Sequence, residues 1–388
     1  MRVGIVNYDP LWMGGQNYYR NLLAALKKHP NPSVEPVIFC GFKSAAKTRC
    51  DFPDSTVIES SAIDRLGASW FLSRLAASLG HPNPLVTRLL EKNGVSVLSH
   101  SLFVGSPYLK GIKRIDWIPD FQHLHFPRFY ASPRVVAAQN ACFQERCSSC
   151  DTLILSSQAA KSDLLSFSPQ QAHKAAVLQF VSSPSSPSSV PSVGELQKKY
   201  CFEGPFFLLP NQFWAHKNHR LAIAALQILH KRGQRALILA TGLTTDSRNP
   251  NFFSELTKFA AECNVLSSFR VLGQIPYNDL LGLMRNTVSF VNPSLFEGWS
   301  TSVEEAKSLG KTVLLSDIPV HREQAPELGL YFQPDSPESL ADALWTTLNA
   351  YDHQADSLNQ QRASQALPKR QLQFAERYQQ IVLQTAAA

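Results

Sequence analysis

The sequence predicts an α/β protein built from two doubly wound, parallel-sheet domains of the Rossmann-like kind. A β-α-β unit opens the chain and further apolar runs follow up to residue 181, and short apolar runs alternate regularly with helical segments over residues 206–332. Such alternation is typical of parallel sheets covered by helices. A Ser/Pro-rich stretch, residues 183–192, divides the two series and is typical of a linker. Polar or glycine-containing loops directly follow several predicted strands, where open α/β sheets bind their ligands.

The composition is that of a globular protein with a mild positive charge. The 388 residues suffice for two domains of ordinary size, and 44% hydrophobic against 17% charged residues fits substantial cores. Lys plus Arg number 37 and Asp plus Glu number 30, a net charge of +7. This excess favours a phosphate-rich ligand or an anionic membrane surface. The sequence contains no Lys/Arg block, so a nucleic acid is not expected as a partner.

The sequence also bears on the compartment. No apolar run reaches the ~18 residues that a transmembrane helix needs. The N-terminal run Met1–Asp9 is too short and too soon polar for a secretory signal, and is typical of a core strand. Seven cysteines, an odd number, argue against a disulfide framework, and those that cluster lack a nearby fourth metal ligand. We therefore expect a cytoplasmic protein without a metal site, and leave open a peripheral contact with the inner face of the membrane.

The first half of the chain predicts a β-α-β unit followed by further strands. Gly14 and Gly15 lie in the loop after the first strand, at an edge where ligands bind, although they also suit a plain tight turn. Helical segments within residues 64–93 carry a Trp-Phe-Leu cluster beside arginines, which fits either a core-facing helix or a contact with a membrane or lipid-linked acceptor. Further predicted helices span residues 17–28 and 132–147, and further predicted strands span residues 36–40, 95–100, 152–157 and 177–181.

One loop of this half has the composition of a functional site. It follows a strand that begins at Ile115, and it contains Asp120, His123 and His125 between aromatic side chains. Three ionisable groups at the carboxyl end of a strand are typical of a site. Histidines beside phenylalanines could equally be structural, so both interpretations stay open.

A second β-α series begins after the linker. Its first loop, residues 211–219, is polar and precedes a helix. A polar stretch near the end of the chain leads to a last predicted helix, residues 369–383. The other predicted elements are strands 206–210, 236–240, 269–272, 288–291, 312–315 and 329–332 and helices 220–231, 251–262, 277–284 and 337–350.

The most informative stretch is residues 292–306. It predicts the end of a strand, a tight loop and a helix that begins near Ser300. Unpaired N–H groups and the dipole at such a helix start suit a diphosphate. Glu297 and Glu305 bracket that start, and carboxylates accept hydrogen bonds from hydroxyls. The combination indicates a nucleotide sugar as ligand, although an ordinary surface acid and a helix N-terminal acid would give the same pattern.

The run Pro293–Ser300, continued by Glu305–Ala306 and Ser316–Glu323, is highly specific. On these residues the sequence resembles the GT-B glycosyltransferases, in particular the retaining glycosyltransferase family 4 (glycosyl transferases group 1). The resemblance is strong in the C-terminal half and weak in the N-terminal half. It implies two Rossmann-like domains facing across a cleft. These are an acceptor-side domain of residues 1–182 and a nucleotide-sugar donor domain of residues 193–366. The resemblance also implies a C-terminal helix, residues 367–388, packed back on the N-terminal domain.

The resemblance also implies roles for single residues. Lys217 would pair with the donor diphosphate and stabilise the leaving nucleotide. Glu297 would contact hydroxyls of the sugar, and Glu305 would bind the ribose. The remaining implied donor-binding residues are Gly298, Trp299, Ser300 and Thr301 at the helix start, together with Gly14, Gly15 and Gln212. The implied enzyme is a retaining, metal-independent hexosyltransferase without a cofactor, which moves a sugar from a GDP- or UDP-type donor to a glycan or lipid-linked acceptor in polysaccharide or glycoconjugate synthesis.

One position on the donor side departs from the family pattern. Members usually carry an arginine five residues before the phosphate-binding lysine, and Gln212 stands there instead. Phosphate neutralisation would then rest on Lys217 and the helix start, with His216 and His219 as candidates to assist.

A second departure concerns the N-terminal loop. Many members place a histidine directly before its aspartate, and here Pro119 precedes Asp120. His123 then becomes the candidate for a sugar-contacting or acid/base role beside Asp120, ahead of His125.

Two other classes of function stay open. A GT-B nucleotide-sugar 2-epimerase would form an epimer from the donor alone, although the E-x7-E pair speaks against it. A degenerate glycosyltransferase would hold the donor or a partner without turnover, and the departures at Gln212 and Pro119 are compatible with it. A dinucleotide-dependent oxidoreductase is disfavoured, because no G-x-G-x-x-G follows the first strand.

Overall fold

The computed structural model describes residues 1–6, 13–64, 67–68, 71–72, 75, 79, 84–100, 109, 111–184, 189–246 and 248–388. The chain divides into two compact units. The first comprises Met1–Phe121, Val136–Val181 and Lys369–Ala388, and the second comprises Gln122–Val135 and Ser182–Pro368. The bounds given above to the acceptor-side domain, the linker and the donor domain remain a prediction from the sequence.

The helices in the described part of the chain follow this order. They are α1 (Met13–Lys28), α2 (Ala45–Asp51), α3 (Pro84–Lys92), α4 (Gln122–His125), α5 (Pro133–Ser149), α6 (Gln158–Phe167), α7 (Val193–Tyr200), α8 (His219–Lys231), α9 (Phe252–Glu262), α10 (Tyr277–Asn286), α11 (Thr301–Leu309), α12 (Pro319–Gln324), α13 (Pro337–Asn349) and α14 (His353–Ala387). Short 3₁₀ turns are Phe42–Ser44, Ser61–Ile63, Pro127–Phe129, Pro169–Lys174 and Ala215–Lys217. No helix of the described residues is both long and apolar enough to cross a membrane.

The first unit is built on a parallel sheet. Its strands are β1 (Arg2–Val6), β2 (Glu35–Cys40), β3 (Thr56–Glu59), β4 (Val95–Ser99), β5 (Lys113–Ile118), β6 (Thr152–Leu155) and β7 (Ala175–Val177). They lie in the order β3-β2-β1-β4-β5-β6-β7. Apolar side chains of β1 and its neighbours are fully buried, because helices cover both faces of a doubly wound sheet. The end of α14 adds Phe374, Tyr378 and Ile381 to this buried set.

The second unit has the same construction. Its strands are β8 (Phe207–Leu209), β9 (Ile238–Thr241), β10 (Phe269–Gly273), β11 (Ser289–Asn292), β12 (Val313–Ser316) and β13 (Gly329–Phe332). Their order is β10-β9-β8-β11-β12-β13, and the pairs are parallel. The direction of winding reverses between β8 and β11, which opens a crevice at the carboxyl ends of these two strands. Two such sheets confirm the predicted fold class.

Several predicted elements differ from those observed. The helix predicted from residue 17 begins at Met13, so Gly14 and Gly15 lie in its first turn and not in a loop. The strand predicted over residues 177–181 ends at Val177. The polar stretch predicted before the last helix is itself helical, since α14 runs through Pro368. Its polar composition hid the helix because much of that segment faces solvent and shows little apolar periodicity.

Two sequence predictions fall largely outside the described residues. The first is the helical segment of residues 64–79 with its Trp-Phe-Leu cluster, of which Trp70 and the neighbouring arginines are among the residues not described. The second is the centre of the Ser/Pro linker, residues 185–188. After that linker, Ser192 caps α7, which the sequence analysis did not predict, through a capping box with Glu195.

Candidate active site

The candidate site lies at the carboxyl ends of β8 and β11, where the second sheet reverses its winding. Asn211 follows β8, and Asn292 is the last residue of β11. The Nδ2 atom of Asn211 donates to Oδ1 of Asn292 at 3.2 Å, and both residues are buried. The two strand ends are therefore joined by side chains at the point where an open α/β sheet binds its ligand.

Asn292 also organises the loop that follows it. Its Nδ2 atom donates to Ser300 Oγ at 2.8 Å. The hydroxyl of Ser294 lies 2.6 Å from Asn292 Oδ1 and 2.7 Å from Glu297 Oε1. These groups are buried, and a satisfied buried polar network holds its members in one geometry. The loop is thereby shaped around the carboxylate of Glu297.

Lys217 and Glu297 meet across the crevice as an ion pair. Lys217 ends the 3₁₀ turn after β8, and its Nζ atom lies 2.7 and 2.8 Å from the two carboxylate oxygens of Glu297. Their side chains are only 13% and 7% exposed. Burial by itself would raise the pKa of Glu297, but the ammonium of Lys217, together with His321 and the Ser294 hydroxyl, holds this pKa below its ordinary value. The ammonium of Lys217 and the carboxylate of Glu297 therefore lie side by side, largely shielded from solvent.

The N-terminus of α11 lies beside the pair of Lys217 and Glu297. Gly298 and Trp299 lie in the turn before the helix, and Ser300 is its N-cap. The backbone N–H of Ser300 is already used, because it donates to Gln324 Oε1 at 3.0 Å. The first-turn N–H groups from Thr301 onward are the ones that a helix cannot satisfy internally. An anion would therefore meet the helix one residue later than the sequence analysis expected.

Glu304 and Glu305 on α11 have opposite surroundings. Glu304 is buried and accepts from Lys307 Nζ at 3.1 Å and from Gln324 Nε2 at 3.2 Å. Glu305 is half-buried and has no ion-pair partner among the described residues. Burial raises the pKa of the Glu305 carboxyl to about 7. Glu305 is thus the acid of this helix whose oxygens are left for hydroxyl donors.

Replacing Glu305 with glutamine should stabilise the protein above pH 7. The folded-state pKa is raised, so the wild type loses stability as pH rises from the ordinary value of 4.5 through about 7. The glutamine variant does not lose this stability. At pH 8 its free energy of unfolding should exceed that of the wild type by up to about 3 kcal/mol, and solvent contact of the carboxyl reduces this difference. Denaturant titrations at pH 4.5 and pH 8 measure it. An equal difference at both pH values would contradict the assignment.

The histidines of this region add no positive charge, contrary to the role suggested for two of them. His219 is fully buried and stacks on Phe213 with ring centroids 4.3 Å apart, and burial lowers its pKa to about 3. Burial and the nearby Lys217 also hold the pKa of His216 well below its usual range. His216 instead contributes its backbone carbonyl, which accepts from Leu295 N–H at 2.8 Å and ties the two loops together.

Gln212 is used to hold the fold. Its Oε1 atom accepts from the backbone N–H of Leu243 at 2.7 Å, so the side chain anchors the loop that follows β9. The departure from arginine at this position therefore has a structural consequence as well as a loss of charge.

The N-terminal candidates are divided between the two units. Gly14, Gly15 and Asp120 belong to the first unit, whereas His123 and His125 belong to the second. His123 is buried, with its ring 6.4 Å from that of Tyr130. His125 is exposed, and its ring lies 5.1 Å from that of Phe296. The ring of His125 therefore contacts the residue next to Glu297.

Several residues that build the site were given no role in the sequence analysis. They are Asn211, Asn292, Ser294, Gln324 and His321. A usable signal was present for Asn292, which is a polar residue at the last position of a strand, at the edge of the sheet where ligands bind. Gln324 carried no such signal, since its contact with Ser300 spans 24 residues.

Comparison with known proteins gives a match of part of the chain to a family and a fold for the whole chain. Residues 197–363 match the family Glycosyl transferases group 1. The whole chain superposes on Anabaena Alr3699/HepE in complex with UDP and glucose, with a TM-score of 0.68, 14% identity and 100% of both chains covered. A glycosyltransferase from Rickettsia africae gives a TM-score of 0.68 at 17% identity over 98% of both chains. The fold is GT-B.

A curated relative matches part of the GT-B chain. The O-antigen chain mannosyltransferase RfbU of Salmonella typhimurium is 26% identical over 139 residues, which is 36% of this chain. The match spans 37% of the length of that relative. The segment that matches the family model contains the Lys217–Glu297 pair and α11.

Proposed function

We propose that the protein is a retaining, metal-independent hexosyltransferase of glycosyltransferase family 4. It transfers a sugar from a GDP- or UDP-type nucleotide sugar to a glycan or lipid-linked acceptor. The observation that carries this proposal is the buried ion pair of Lys217 and Glu297 beside the N-terminus of α11. The proposal also draws on the sequence motif, which accounts for the assignment to family 4 and for retention.

A nucleoside-diphosphate sugar is complementary to this arrangement. Its diphosphate would lie on the first-turn N–H groups of α11, where the helix dipole favours negative charge. The ammonium of Lys217 would turn from Glu297 to a phosphate oxygen, forming a charge-assisted hydrogen bond. The freed carboxylate of Glu297 would accept hydrogen bonds from sugar hydroxyls, and Glu305 would accept from the ribose.

The same groups suit the transfer step. Cleavage of the bond between the sugar and the diphosphate leaves negative charge on the departing nucleotide. Lys217 and the α11 N-terminus are in place before that charge develops, and preorganised charges of this kind stabilise a transition state without reorganisation. An ionised Glu297 beside the sugar would provide an anion for the positive charge that grows at the anomeric carbon.

The similar proteins support the choice of donor and acceptor. HepE binds UDP and glucose in its crystal structure, and RfbU is a mannosyltransferase of O-antigen chains. By this analogy the proposed product is a polysaccharide or glycoconjugate. The proposal places the protein in the cytoplasm, with a peripheral contact at an anionic membrane where a lipid-linked acceptor would be presented.

A thermal-shift panel tests the proposed donor. The panel contains UDP, GDP, UDP-glucose and GDP-mannose, with adenosine diphosphate as a control. One nucleotide and its sugar should raise the Tm by about 5–10 °C when present at about 100 times Kd, because a ligand that binds only the folded protein stabilises it. Equal Tm values with every compound would contradict the proposal.

Product analysis then separates the three functional alternatives. Incubation of the stabilising nucleotide sugar with membrane-derived glycans should release the nucleoside diphosphate and glycosylate the acceptor. Formation of an epimer without acceptor would instead identify the 2-epimerase, and binding without any turnover would identify the degenerate protein.

A further inference from the structure

The loop after β9 is pressed against the loop that carries Lys217. At Gly242, φ is +141°, and a Cβ there would lie 2.5 Å from the carbonyl oxygen of Asn211. The backbone N–H of Phe213 donates to the carbonyl of Leu243 at 2.9 Å. Together with the bond from Leu243 N–H to Gln212, these contacts fix the two loops to each other.

This loop holds an arginine in a single orientation. The Nε and Nη2 atoms of Arg248 lie 2.9 and 3.0 Å from the two carboxylate oxygens of Asp246, a bidentate pair in which Asp246 is buried. The Nη1 atom of Arg248 donates to Gln122 Oε1 at 3.0 Å. The guanidinium carbon lies 4.9 Å from the ring centroid of Trp214. A guanidinium with contacts on three sides has little rotamer freedom, so its side chain would lose little entropy when a ligand binds.

Trp214 places this guanidinium beside the Lys217 turn. The backbone N–H of Lys217 donates to the carbonyl of Trp214 at 2.9 Å, and the Trp214 ring lies 5.7 Å from that of His216. The charges of Lys217 and Arg248 both add to the effect of burial in lowering the pKa of His216. The loop after β9 and the loop after β8 thus present cations to the same end of the crevice.

Arg248 retains donors for a ligand. A guanidinium has five N–H donors. Three are engaged, by Asp246 and Gln122, and within the described residues the other two have no acceptor. Planar forks of this kind bind phosphate oxygens in bidentate geometry.

We propose that Arg248 is a second diphosphate-binding residue, supplied by the loop after β9. Asp246 and Trp214 are its positioning residues. This would place at the diphosphate the positive charge that Gln212 does not supply. The inference rests on the proposed function, because it assumes a nucleoside diphosphate at the α11 start.

The Arg248→Gln variant tests the inference by titration calorimetry with UDP or GDP, whichever the wild type binds, and with the corresponding nucleoside. Affinity for the diphosphate should fall about tenfold, the effect of one charged hydrogen bond, while affinity for the nucleoside stays unchanged. Asp246→Asn should shift the ratio of the two affinities in the same direction by a smaller factor. Arg232→Gln is the matched control, since Arg232 forms an ion pair with Asp342 on the surface of the same unit.

The outcomes separate this inference from the function on which it rests. Wild-type affinity for the diphosphate in Arg248→Gln would overturn the role of Arg248 and leave the proposed function standing. An equal loss of diphosphate and nucleoside affinity would show that Arg248 only supports the loop, and would also overturn it. A wild type that binds neither UDP nor GDP would overturn both.

Discussion

Replacing Lys217 with alanine should lower the kcat/KM of sugar transfer by about two to three orders of magnitude. Removal of one preorganised charge-stabilising group typically has an effect of this size. Because Lys217 would act on charge that develops in the transition state, most of the loss should be in kcat. Steady-state kinetics with the donor identified by thermal shift measures both parameters.

Glu297→Gln provides the complementary measurement. The amide keeps the shape of the side chain but not its charge, so it tests the anion opposite the sugar, and kcat/KM should fall by a similar factor. Lys199→Met is the control, because Lys199 pairs with Asp279 elsewhere in the second unit. Near wild-type turnover in either Lys217→Ala or Glu297→Gln, with the control also active, would place the reaction somewhere else.

Folding of these variants can be separated from catalysis. Glu297 has a lowered pKa, so the pair contributes stability above the ordinary pKa of 4.5, which is lost as pH falls through the lower folded-state value. At pH 8 each single variant leaves one buried charge without its partner. Circular dichroism and Tm at pH 8 therefore accompany the kinetics, and a folded but inactive variant supports a functional role.

The fold could be predicted from local sequence patterns, and the errors of that prediction also have local causes. Apolar strands and amphipathic helices of the second unit have a clear periodicity, and their predicted bounds lie within a few residues of those observed. Strand β3 and helices α2 and α7 were not predicted, and they are only four, seven and eight residues long, so few residues carry their pattern. The first half of helix α14 was predicted as a polar stretch, because a polar segment before Pro368 resembles a loop when its packing is unknown.

The candidate site could be predicted only where its residues are close in sequence. One strand-loop-helix segment contains Glu297, Ser300 and Glu305, so their spacing in the sequence determines their relative positions. Contacts such as Asn211 with Asn292, which span 81 residues, depend on strand order and are invisible to spacing. Arg248 was missed for the same reason, since its relation to Trp214 requires β8 and β9 to be neighbours. Which of these residues contact a ligand stays a prediction.

Replacing Lys311 with methionine should have the largest effect on stability. Its Nζ atom lies 2.7 Å from both carboxylate oxygens of Asp356, and its side chain is fully buried. Gln360 Nε2 also donates to Asp356, at 2.9 Å. Burial lowers the pKa of Lys311, although Asp356 partly offsets this effect. Removing one partner of a buried pair leaves the other charge uncompensated, at a loss of about 3–5 kcal/mol.

This loss should appear as a fall in Tm of about 10 °C in differential scanning calorimetry. The pair fastens the start of α14 to the turn between α11 and β12, so the variant removes an attachment of the helix that continues into the first unit. The double variant Lys311→Met/Asp356→Leu replaces both charges by apolar groups and should recover most of the Tm, because no charge remains buried. A double variant no more stable than Lys311→Met would instead assign the loss to packing. Arg232→Gln, which breaks a pair on the surface, should change the Tm little.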